Sequence, residues 1–361
     1  MSLLATRVQN LRVASPDFDK NMTRQSEYGA LDFFVTQSDS GRSFITPELR
    51  NAAINSMGKT LQMPVIDYDG AVTVRNVRVC AIPDAENTSR LVTVSFATYG
   101  VGFTMVPARF LNNDISYNHD FERKMEKSIR ALATALDLGA VASLTANKTQ
   151  VFKDILEYSA TANTIEVEWD NRMEITGDIN SIMRANDYPC QIHIIGNAGI
   201  DSITRKMAQL SENNVINKVL EYSEKIFHYT NNIVNDTGFY GTAFAVEDGQ
   251  VGYLTRNGRE NVLGTRSNDH EWDIVRLPII NLPVDTNYYT AVGDQSTIGG
   301  AATEDIADMK CNVKQYFGFE IDIAYLVSFN SAPTTIANPI IQYAIESPVD
   351  LRSAIPVRVL P

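Results

Sequence analysis

Cysteine, histidine and tryptophan are scarce in this sequence, and their scarcity argues against several kinds of chemistry. Three cysteines, four histidines and two tryptophans occur among 361 residues. Cys80, Cys190 and Cys311 lie far apart and form no Cys-x-x-Cys pair, so we interpret them as buried free thiols. The histidines also lack the spacing of a zinc motif; they are His119, His193, His228 and His270. We therefore predict no metal site.

An excess of positive charge is missing as well. The chain has 31 Lys and Arg against 43 Asp and Glu, a formal net charge of −12. Proteins that coat nucleic acid regardless of its sequence carry clustered positive charge, so that function is disfavoured. The N-terminal residues lack the apolar core of a signal peptide, and no apolar run has the length of a membrane span. The sequence therefore predicts a protein made and used in the cytoplasm, with no membrane partner.

Familiar catalytic motifs are absent too, beginning with the G-x-S-x-G nucleophile turn. The segment "IIGNAGIDS", residues 194–202, lacks both G-x-G-x-x-G and a Walker lysine, so we predict a plain strand-to-helix turn. The segment "DYDG", residues 67–70, resembles the start of a calcium loop, but Arg78 stands where the closing glutamate belongs. Two acidic pairs are expected on solvated strand faces: Glu166 with Glu168, and Glu320 with Asp322. We predict no catalytic residue and no cofactor.

The N-terminal third of the chain changes character twice. Residues 1–45 are polar without a sustained hydrophobic period, so we expect an extended arm that becomes ordered against another surface. Residues 46–59 predict a short helix, with Thr46 as its cap, Pro47 in its first position and Gly58 as its stop. Residues 60–107 are rich in Val, Thr and aromatics, which predicts a long antiparallel β excursion with little core of its own.

The most strongly patterned segment is "DFERKMEKSIRALATALDLGAVASL", residues 120–144. Apolar residues recur there at steps of three or four; they are Phe121, Met125, Ile129, Leu132, Leu136 and Ala140. The other faces of the first half are charged, whereas Asp137 is the one ionisable residue between Arg130 and Leu144. We therefore predict a long helix that begins exposed and ends embedded in a core. Gly139 is the position where it is expected to bend or stop.

Beyond this helix the pattern predicts mixed strands and helices. Strands are expected in "NTIEVEWD", "CQIHIIG", "HEWDIVRLPIINLPV", "CNVKQYFGFEIDIAYLVSF" and the late segment "NPIIQYAIESP". Helices are expected in "GDINSIMRAND", in "IDSITRKMAQ" and in "NNVINKVLEYSEKIFHYTNN". The segment "YGTAFAVEDGQVGYLTR" predicts a hairpin around Asp248-Gly249, and "GDQSTIGGAATEDIAD" predicts a mobile loop. The predicted fold class is therefore α+β.

This order of elements resembles the major capsid proteins of tailed bacteriophages, a fold shared with encapsulins and the herpesvirus capsid floor. The resemblance is strongest in "VTVSFATYGVGFTMVPARFLNNDISYNHDFERKMEKSIRALATALDLGAVASL", a β run and a polar bridge that lead into the long helix. It implies an N-terminal arm, an extended β loop, a spine helix, a peripheral domain and an axial domain. The implied divisions are 1–45 arm, 46–59 short helix, 60–107 extended loop, 108–188 spine helix and peripheral domain, 189–325 axial domain, and 326–361 return to the peripheral domain with the C-terminal tail.

The function implied by the resemblance is assembly of an icosahedral shell around double-stranded DNA, held in hexamers and pentamers without sequence-specific DNA binding. Some members of the family join subunits through a loop lysine and a neighbour's asparagine. This chain has no lysine between Lys59 and Lys124, so Asn338 has no partner in the loop and a non-crosslinked shell is expected. Portal, separate scaffolding and decoration proteins are the implied partners. An encapsulin-type compartment and an α/β enzyme are the alternatives.

Overall fold

The computed structural model describes residues 28–67, 88–110, 114–148, 154–186, 188, 191–211, 225–258, 270–277, 280–292, 313–328 and 339–348. Two larger sheets, a two-stranded ribbon and several helices make up these residues, so the predicted α+β class is confirmed. Several sequence predictions fall outside the described residues. They are the arm before residue 28, the loop at 293–308, the acceptor Asn338, the C-terminal tail and all three cysteines.

Helix α1 (Gly29–Asp39) lies within the segment that was expected to be an extended arm. Ala30, Phe33 and Phe34 on this helix are fully buried, and they form one core cluster with Ala140, Leu144 and Phe244 among its other members. The prediction of an arm over residues 1–45 is therefore wrong for residues 29–39. Polar residues surround "LDFF", so the segment shows no sustained hydrophobic period. Its few large apolar side chains nevertheless all point into the core.

Helix α2 (Pro47–Ile54) begins as predicted, because the Thr46 hydroxyl accepts a hydrogen bond from the Leu49 N–H at 3.3 Å. Strand β1 (Thr60–Asp67) follows and pairs antiparallel with β2 (Thr88–Ser95), in a register that runs from Thr60 opposite Ser95 to Asp67 opposite Thr88. We call this two-stranded sheet the ribbon. Strand β3 (Ala97–Met105) leaves the ribbon and enters another sheet, so the predicted β excursion is divided between two sheets.

Helix α3 (Asp114–Ala146) is the predicted long helix and begins earlier than expected. Its 33 residues span about 50 Å at the usual rise per residue. The apolar stripe is buried along its whole length, including Phe121, Met125 and Ile129 in the charged half. The prediction of an exposed first half is therefore wrong for the inward face and holds for the outward face, where Arg123 and Lys127 are exposed. The helix also continues through Gly139 without a break.

A five-stranded sheet covers the N-terminal part of α3. Its order is β10 (His270–Arg276), β11 (Pro283–Val292), β12 (Val313–Val327) and β3, all antiparallel, with β9 (Val251–Arg256) paired to the far end of β12. Alternate residues of β12 face the helix and are buried; they are Phe317, Phe319, Ile321 and Ile323. Residues 322 and 323 of β12 pair with β3 on one side and with β9 on the other. Strand β9 therefore lies on the same side of β12 as β11, beyond the point where the β11 pairing ends.

A six-stranded sheet forms the second large layer. Its order is β4 (Ser159–Thr161), β5 (Thr164–Val167), β13 (Ile340–Glu346), β8 (Phe239–Glu247), β6 (Ile192–Gly196) and β7 (Lys225–Tyr229). One face packs against α4 (Ile175–Ala185) and α5 (Ala198–Ser211), through Ile179, Ile182 and Ile203 among others. The opposite face packs against α1 and the end of α3. Helix layers therefore cover both faces of this sheet.

The predicted hairpin around Asp248-Gly249 is a turn that joins the two sheets. Gly249 has a φ of +83°, which fits the turn residue that was predicted. However, β8 pairs with β13 and β6, whereas β9 pairs with β12, so in the described pairings these two strands are not partners of each other. The Asp-Gly signal located the turn correctly, but it carries no information about which strands pair on either side.

Two further predictions are corrected by the strand order. Residues 225–229 of the predicted helix "NNVINKVLEYSEKIFHYTNN" form β7, parallel to β6, and residues 212–224 lie outside the described residues. The late strand β13 joins β5, β6 and β8 in one sheet, and β12 lies on the long helix. The boundaries expected at 188 and 325 therefore do not separate the two sheets. β strands take their neighbours from tertiary pairing, which a linear division of the chain does not contain.

Candidate assembly surfaces and internal polar sites

The ribbon has few buried side chains among those that the structure describes. Met63 and Val94 are buried and pack with Phe96, Leu254 and Leu326 at the ribbon's base. Leu91, which lies farther out on β2, is 64% exposed, and Met57, just before the ribbon, is 78% exposed. A two-stranded ribbon is marginally stable by itself in water. These exposed apolar side chains therefore mark a surface that gains stability when another molecule covers it.

A buried ion pair anchors the base of the ribbon. The Arg256 guanidinium donates to the Asp322 carboxylate, at 3.0 Å from Nε, and also donates to the Met57 carbonyl at 2.9 Å. Lys59 donates to the Thr98 hydroxyl at 2.8 Å, which in turn donates to Asp322 at 2.6 Å. The sequence placed Asp322 on a solvated face, but it is 6% exposed. This network holds the chain that enters the ribbon against strands β9, β12 and β3.

The outward face of α3 offers a second surface. Its first half carries exposed Arg123 and Lys127, and two ion pairs at i,i+4 spacing lie beside them, Asp120 with Lys124 and Glu126 with Arg130. Its second half exposes Leu138, whose side chain is 46% accessible. By length and composition α3 is the one helix among the described residues able to cross a membrane, although its apolar stripe packs against both sheets. The charged half and the apolar half therefore present different chemistry to a neighbour.

Gly139 allows close packing between α3 and the five-stranded sheet. A Cβ atom at this position would lie 2.4 Å from the Tyr99 Oη and 3.0 Å from Tyr325 Cε2. The Tyr325 hydroxyl donates to the Leu136 carbonyl at 2.7 Å, which fixes that ring against the helix. Gly139 therefore neither bends nor ends α3. Because it has no side chain, Tyr99 and Tyr325 can approach the helix closely at this position.

Asp137 is a buried carboxylate at the junction of α1, α3 and the segment after β7. It accepts hydrogen bonds from the Leu31 N–H at 2.8 Å, from the Asn232 amide at 2.7 Å and from the Thr230 hydroxyl. Burial raises the pKa of Asp137, and four donors oppose that shift: the Thr230 and Asn232 side chains and the Leu31 and Ala30 N–H groups. The carboxylate therefore satisfies the first N–H groups of α1 and ties three elements together.

His193 and His228, which are 35 residues apart in sequence, lie side by side on β6 and β7. His193 Nδ1 is 3.0 Å from His228 Nε2, and His193 Nε2 is 3.0 Å from the Gln37 side-chain nitrogen on α1. Asp248 Oδ1 lies 3.5 Å from His193 Nε2. Burial lowers the pKa of His228 to about 4, aided by the adjacent His193, and burial also lowers the pKa of His193 against the attraction of Asp248. The sequence analysis treated these histidines as isolated because they lack the spacing of a zinc motif, and the pairing of β6 with β7 brings them together.

The sequence motifs weighed for ligand binding have structural explanations where they are described. In "IIGNAGIDS", a Cβ on Gly199 would lie 2.3 Å from the Tyr240 carbonyl oxygen, so the glycine permits a close backbone approach. Asn197 fills the turn, donating to Asn235 at 2.6 Å and accepting from the Gly199 N–H at 3.2 Å. Within the described residues, no group of three or more His, Cys, Asp or Glu side chains is placed to hold a metal ion. Residues 68–70 of "DYDG" lie outside the described ranges.

Comparison with known proteins gives matches among solved structures. No family model matches the sequence, and no curated protein matches it. A structure from Mycobacterium phage Che8 covers 83% of this chain and 88% of its own at 12% identity, with a TM-score of 0.46. One from Gordonia phage Cozz covers 89% and 87% at 14% identity, with a TM-score of 0.45. The capsid structure of Cyanophage P-SCSP1u covers 82% and 86% at 10% identity, with a TM-score of 0.42. The chain is therefore similar to phage structures over most of its length, at low identity.

Proposed function

We propose that this protein is the subunit of a closed icosahedral shell that encloses the double-stranded DNA of a tailed bacteriophage. The observation that carries the proposal is the ribbon. It is anchored at its base by Arg256 and Asp322, and it leaves Leu91 exposed where the chain's own core does not reach. A rigidly anchored, poorly covered ribbon suits contact with a second copy of the chain. In the proposed shell the ribbon contacts a different surface of the neighbouring copy, a heterologous contact that generates a ring when the rotation closes.

In this proposal each part of the chain corresponds to one part of the capsid fold. The ribbon belongs to the extended loop and α3 is the spine, while the proposed arm before residue 28 lies outside the described residues. The five-stranded sheet on the spine corresponds to the peripheral domain, and the six-stranded sheet with α4 and α5 corresponds to the axial domain that meets around five-fold and six-fold positions. These assignments follow the packing of each sheet against α3, α4 and α5.

The proposed partners are other copies of the chain, a portal, a separate scaffolding protein and a decoration protein. Covalent closure is not part of the proposal, because no lysine occurs between Lys59 and Lys124. Non-covalent contacts therefore hold the shell, which is assembled in the cytoplasm of the bacterial host and ends in the virion. DNA is enclosed without sequence-specific contacts, in keeping with a net charge of −12.

Light scattering and negative-stain microscopy of the purified protein test the proposal. We expect shells, or hexamers and pentamers that convert to shells on addition of the scaffolding protein. Leu91→Asp is expected to fold with unchanged circular dichroism and to remain unassembled, because Leu91 is exposed in the subunit. Leu91→Met, which keeps an apolar side chain, is the matched control and is expected to assemble.

A stable monomer that turns over a substrate would contradict the proposal. The contents of purified particles distinguish the compartment alternative, since DNA supports the virion and an enclosed enzyme supports an encapsulin-type shell. If Leu91→Asp assembled as efficiently as the natural chain, the ribbon would not take part in the contact between subunits.

A further inference from the structure

The His193–His228 pair lies where three separate elements meet. The two histidines occupy adjacent parallel strands at the edge of the six-stranded sheet. Gln37 reaches them from α1, and Asp248 reaches them from the turn that joins the two larger sheets. The Phe33 ring packs on both imidazoles, with ring centroids 5.1 and 5.2 Å apart. Any change in the pair therefore acts on α1, the joining turn and the sheet together.

The hydrogen-bond directions in this cluster are fixed by the backbone. The Gly249 N–H donates to Gln37 Oε1, which orients the amide so that its NH₂ group faces His193. His193 Nε2 must then accept, which leaves its Nδ1–H to donate to His228 Nε2. Each of these ring nitrogens is used in one role, and the complete set of hydrogen bonds requires both rings to be neutral.

A proton added to either ring removes one hydrogen bond. On His228 Nε2 the new N–H would point at the Nδ1–H of His193. On His193 Nε2 it would point at the Gln37 NH₂ group, and rotation of that amide would give up the Gly249 bond. Phe33, which packs against both rings, has no polar atom that could accept in exchange. The neighbours of the pair therefore favour the neutral state of both histidines.

The charged groups around the pair do not reverse this preference. Asp248 is the carboxylate nearest to His193, with Oδ1 3.5 Å from His193 Nε2, and its other oxygen, Oδ2, is paired with Arg42 at 3.3 Å. Asp137 on α3 is already bonded to three donors. Asp201 on α5 lines a small cavity of about 60 Å³ beside His228, and it is paired with Arg205 at 2.8 Å. Asp137 and Asp201 therefore already have partners, whereas Asp248 favours a proton on His193, an effect on the pKa of His193 that is smaller than that of burial.

We propose that the His193–His228 pair is an acid-sensitive latch that holds α1 and the joining turn on the six-stranded sheet. Between the ordinary histidine pKa of 6.5 and the lowered folded value of about 4, the unfolded chain binds more protons than the folded chain. The stability from the latch is therefore present above pH 6.5 and is lost as the pH falls towards 4. The latch is a property of the folded subunit and does not depend on assembly.

Urea unfolding of the full chain at a series of pH values tests the latch. The folding equilibrium constant of the natural chain is expected to fall by up to about tenfold per pH unit near pH 5. His228→Gln keeps an acceptor without a titrating group, so its decrease is expected to be smaller. His119→Gln changes an exposed histidine on α3 and is expected to follow the natural chain. Equal pH dependence in all three proteins would overturn the proposal.

Two measurements on the natural chain keep the test decisive if His228→Gln does not fold. In a histidine-selective NMR titration, His228 is expected to titrate below pH 5, and a midpoint near 6.5 would contradict the latch. Hydrogen exchange at pH 4.5, corrected for intrinsic rates, is expected to show α1 losing protection before α4. Loss of protection that is equal in the two helices would show general acid unfolding and would also contradict it.

Discussion

Replacement of Gly139 by alanine sets two physical effects against each other. In the interior of a solvated helix, alanine is favoured over glycine by about 1 kcal/mol. The structure predicts the opposite sign at this position, because the added Cβ would lie 2.4 Å from Tyr99 Oη and 3.0 Å from Tyr325 Cε2. Tyr325 is held by its hydrogen bond to Leu136, so Tyr99 must move.

The size of the effect follows from these contacts. Overpacking of a filled site typically costs about 1–3 kcal/mol, which exceeds the gain from helix propensity. Gly139→Ala is therefore expected to lower the free energy of unfolding by up to about 2 kcal/mol. Gly177 provides the matched control, since it is an exposed helical glycine, and a Cβ added there would meet no atom within 4 Å. Gly177→Ala is expected to raise the free energy of unfolding by up to about 1 kcal/mol.

Urea unfolding followed by circular dichroism measures both changes, and a double-mutant cycle identifies the cause. Tyr99→Phe removes the oxygen atom that the new Cβ would meet, so Gly139→Ala is expected to be less harmful in that background. The expected coupling is at least about 0.5 kcal/mol, the lower end for residues in contact. If Gly139→Ala stabilised the protein as much as Gly177→Ala, the close approach of Tyr99 to α3 would be refuted.

The remaining predictions concern the core, the spine surface and the ribbon base. Phe34→Ala is expected to lower the free energy of unfolding by about 3–5 kcal/mol in chemical denaturation, because Phe34 is fully buried. A decrease below about 1 kcal/mol would instead support the prediction that residues 29–39 belong to an extended arm. Leu132→Asp is expected to prevent folding, whereas Arg123→Glu is expected to leave unfolding unchanged within about 0.5 kcal/mol and, if this face binds a neighbour, to slow assembly measured by light scattering. Similar unfolding of the two variants would contradict the difference between the faces of α3. Arg256→Met is expected to cost about 3–5 kcal/mol, since it leaves Asp322 buried without its cation, and Arg256→Met with Asp322→Leu is expected to recover part of that loss; no recovery would mean that the pair is not the source.

Local signals in the sequence were sufficient for much of the secondary structure. The stripe from Phe121 to Ala140 predicted α3, and Thr46 with Pro47 predicted the start of α2. Strands β6, β12 and β13 were found from their apolar composition. Each of these predictions depends on side chains a few residues apart, which interact through the backbone geometry of one element.

The failures all involve partners that are distant in sequence. Asp248-Gly249 predicted a turn, but the strands on either side pair with β13 and β12, about 100 and 70 residues farther along the chain. The "KIFHY" segment fits a helical period within its local window, yet it forms β7 because β6 offers a parallel partner. Local propensity is a weak preference that tertiary pairing overrides.

The internal polar sites were missed for a related reason. Asp137 stood out as a charge in an apolar helix, but its donors come from α1 and from the segment after β7. His193, Gln37 and Asp248 meet across separations of up to 211 residues. A sequence shows that a residue departs from its local pattern, but the residue that compensates for it is revealed by the fold.

These departures are polar or tightly packed contacts between different elements. Gly139 and Asp137 lie where α3 meets the five-stranded sheet and α1. The histidine pair and the Arg256–Asp322 pair join neighbouring strands of one sheet, and they also bond to α1 and to the chain that enters the ribbon. Apolar packing between layers tolerates sliding, because dispersion contacts have little directional preference. Directional hydrogen bonds and a close tyrosine contact do not, so they hold α1, the long helix and the start of the ribbon in place against the elements they contact. In the proposed shell, these contacts are therefore expected to limit how far one subunit can differ in shape from another.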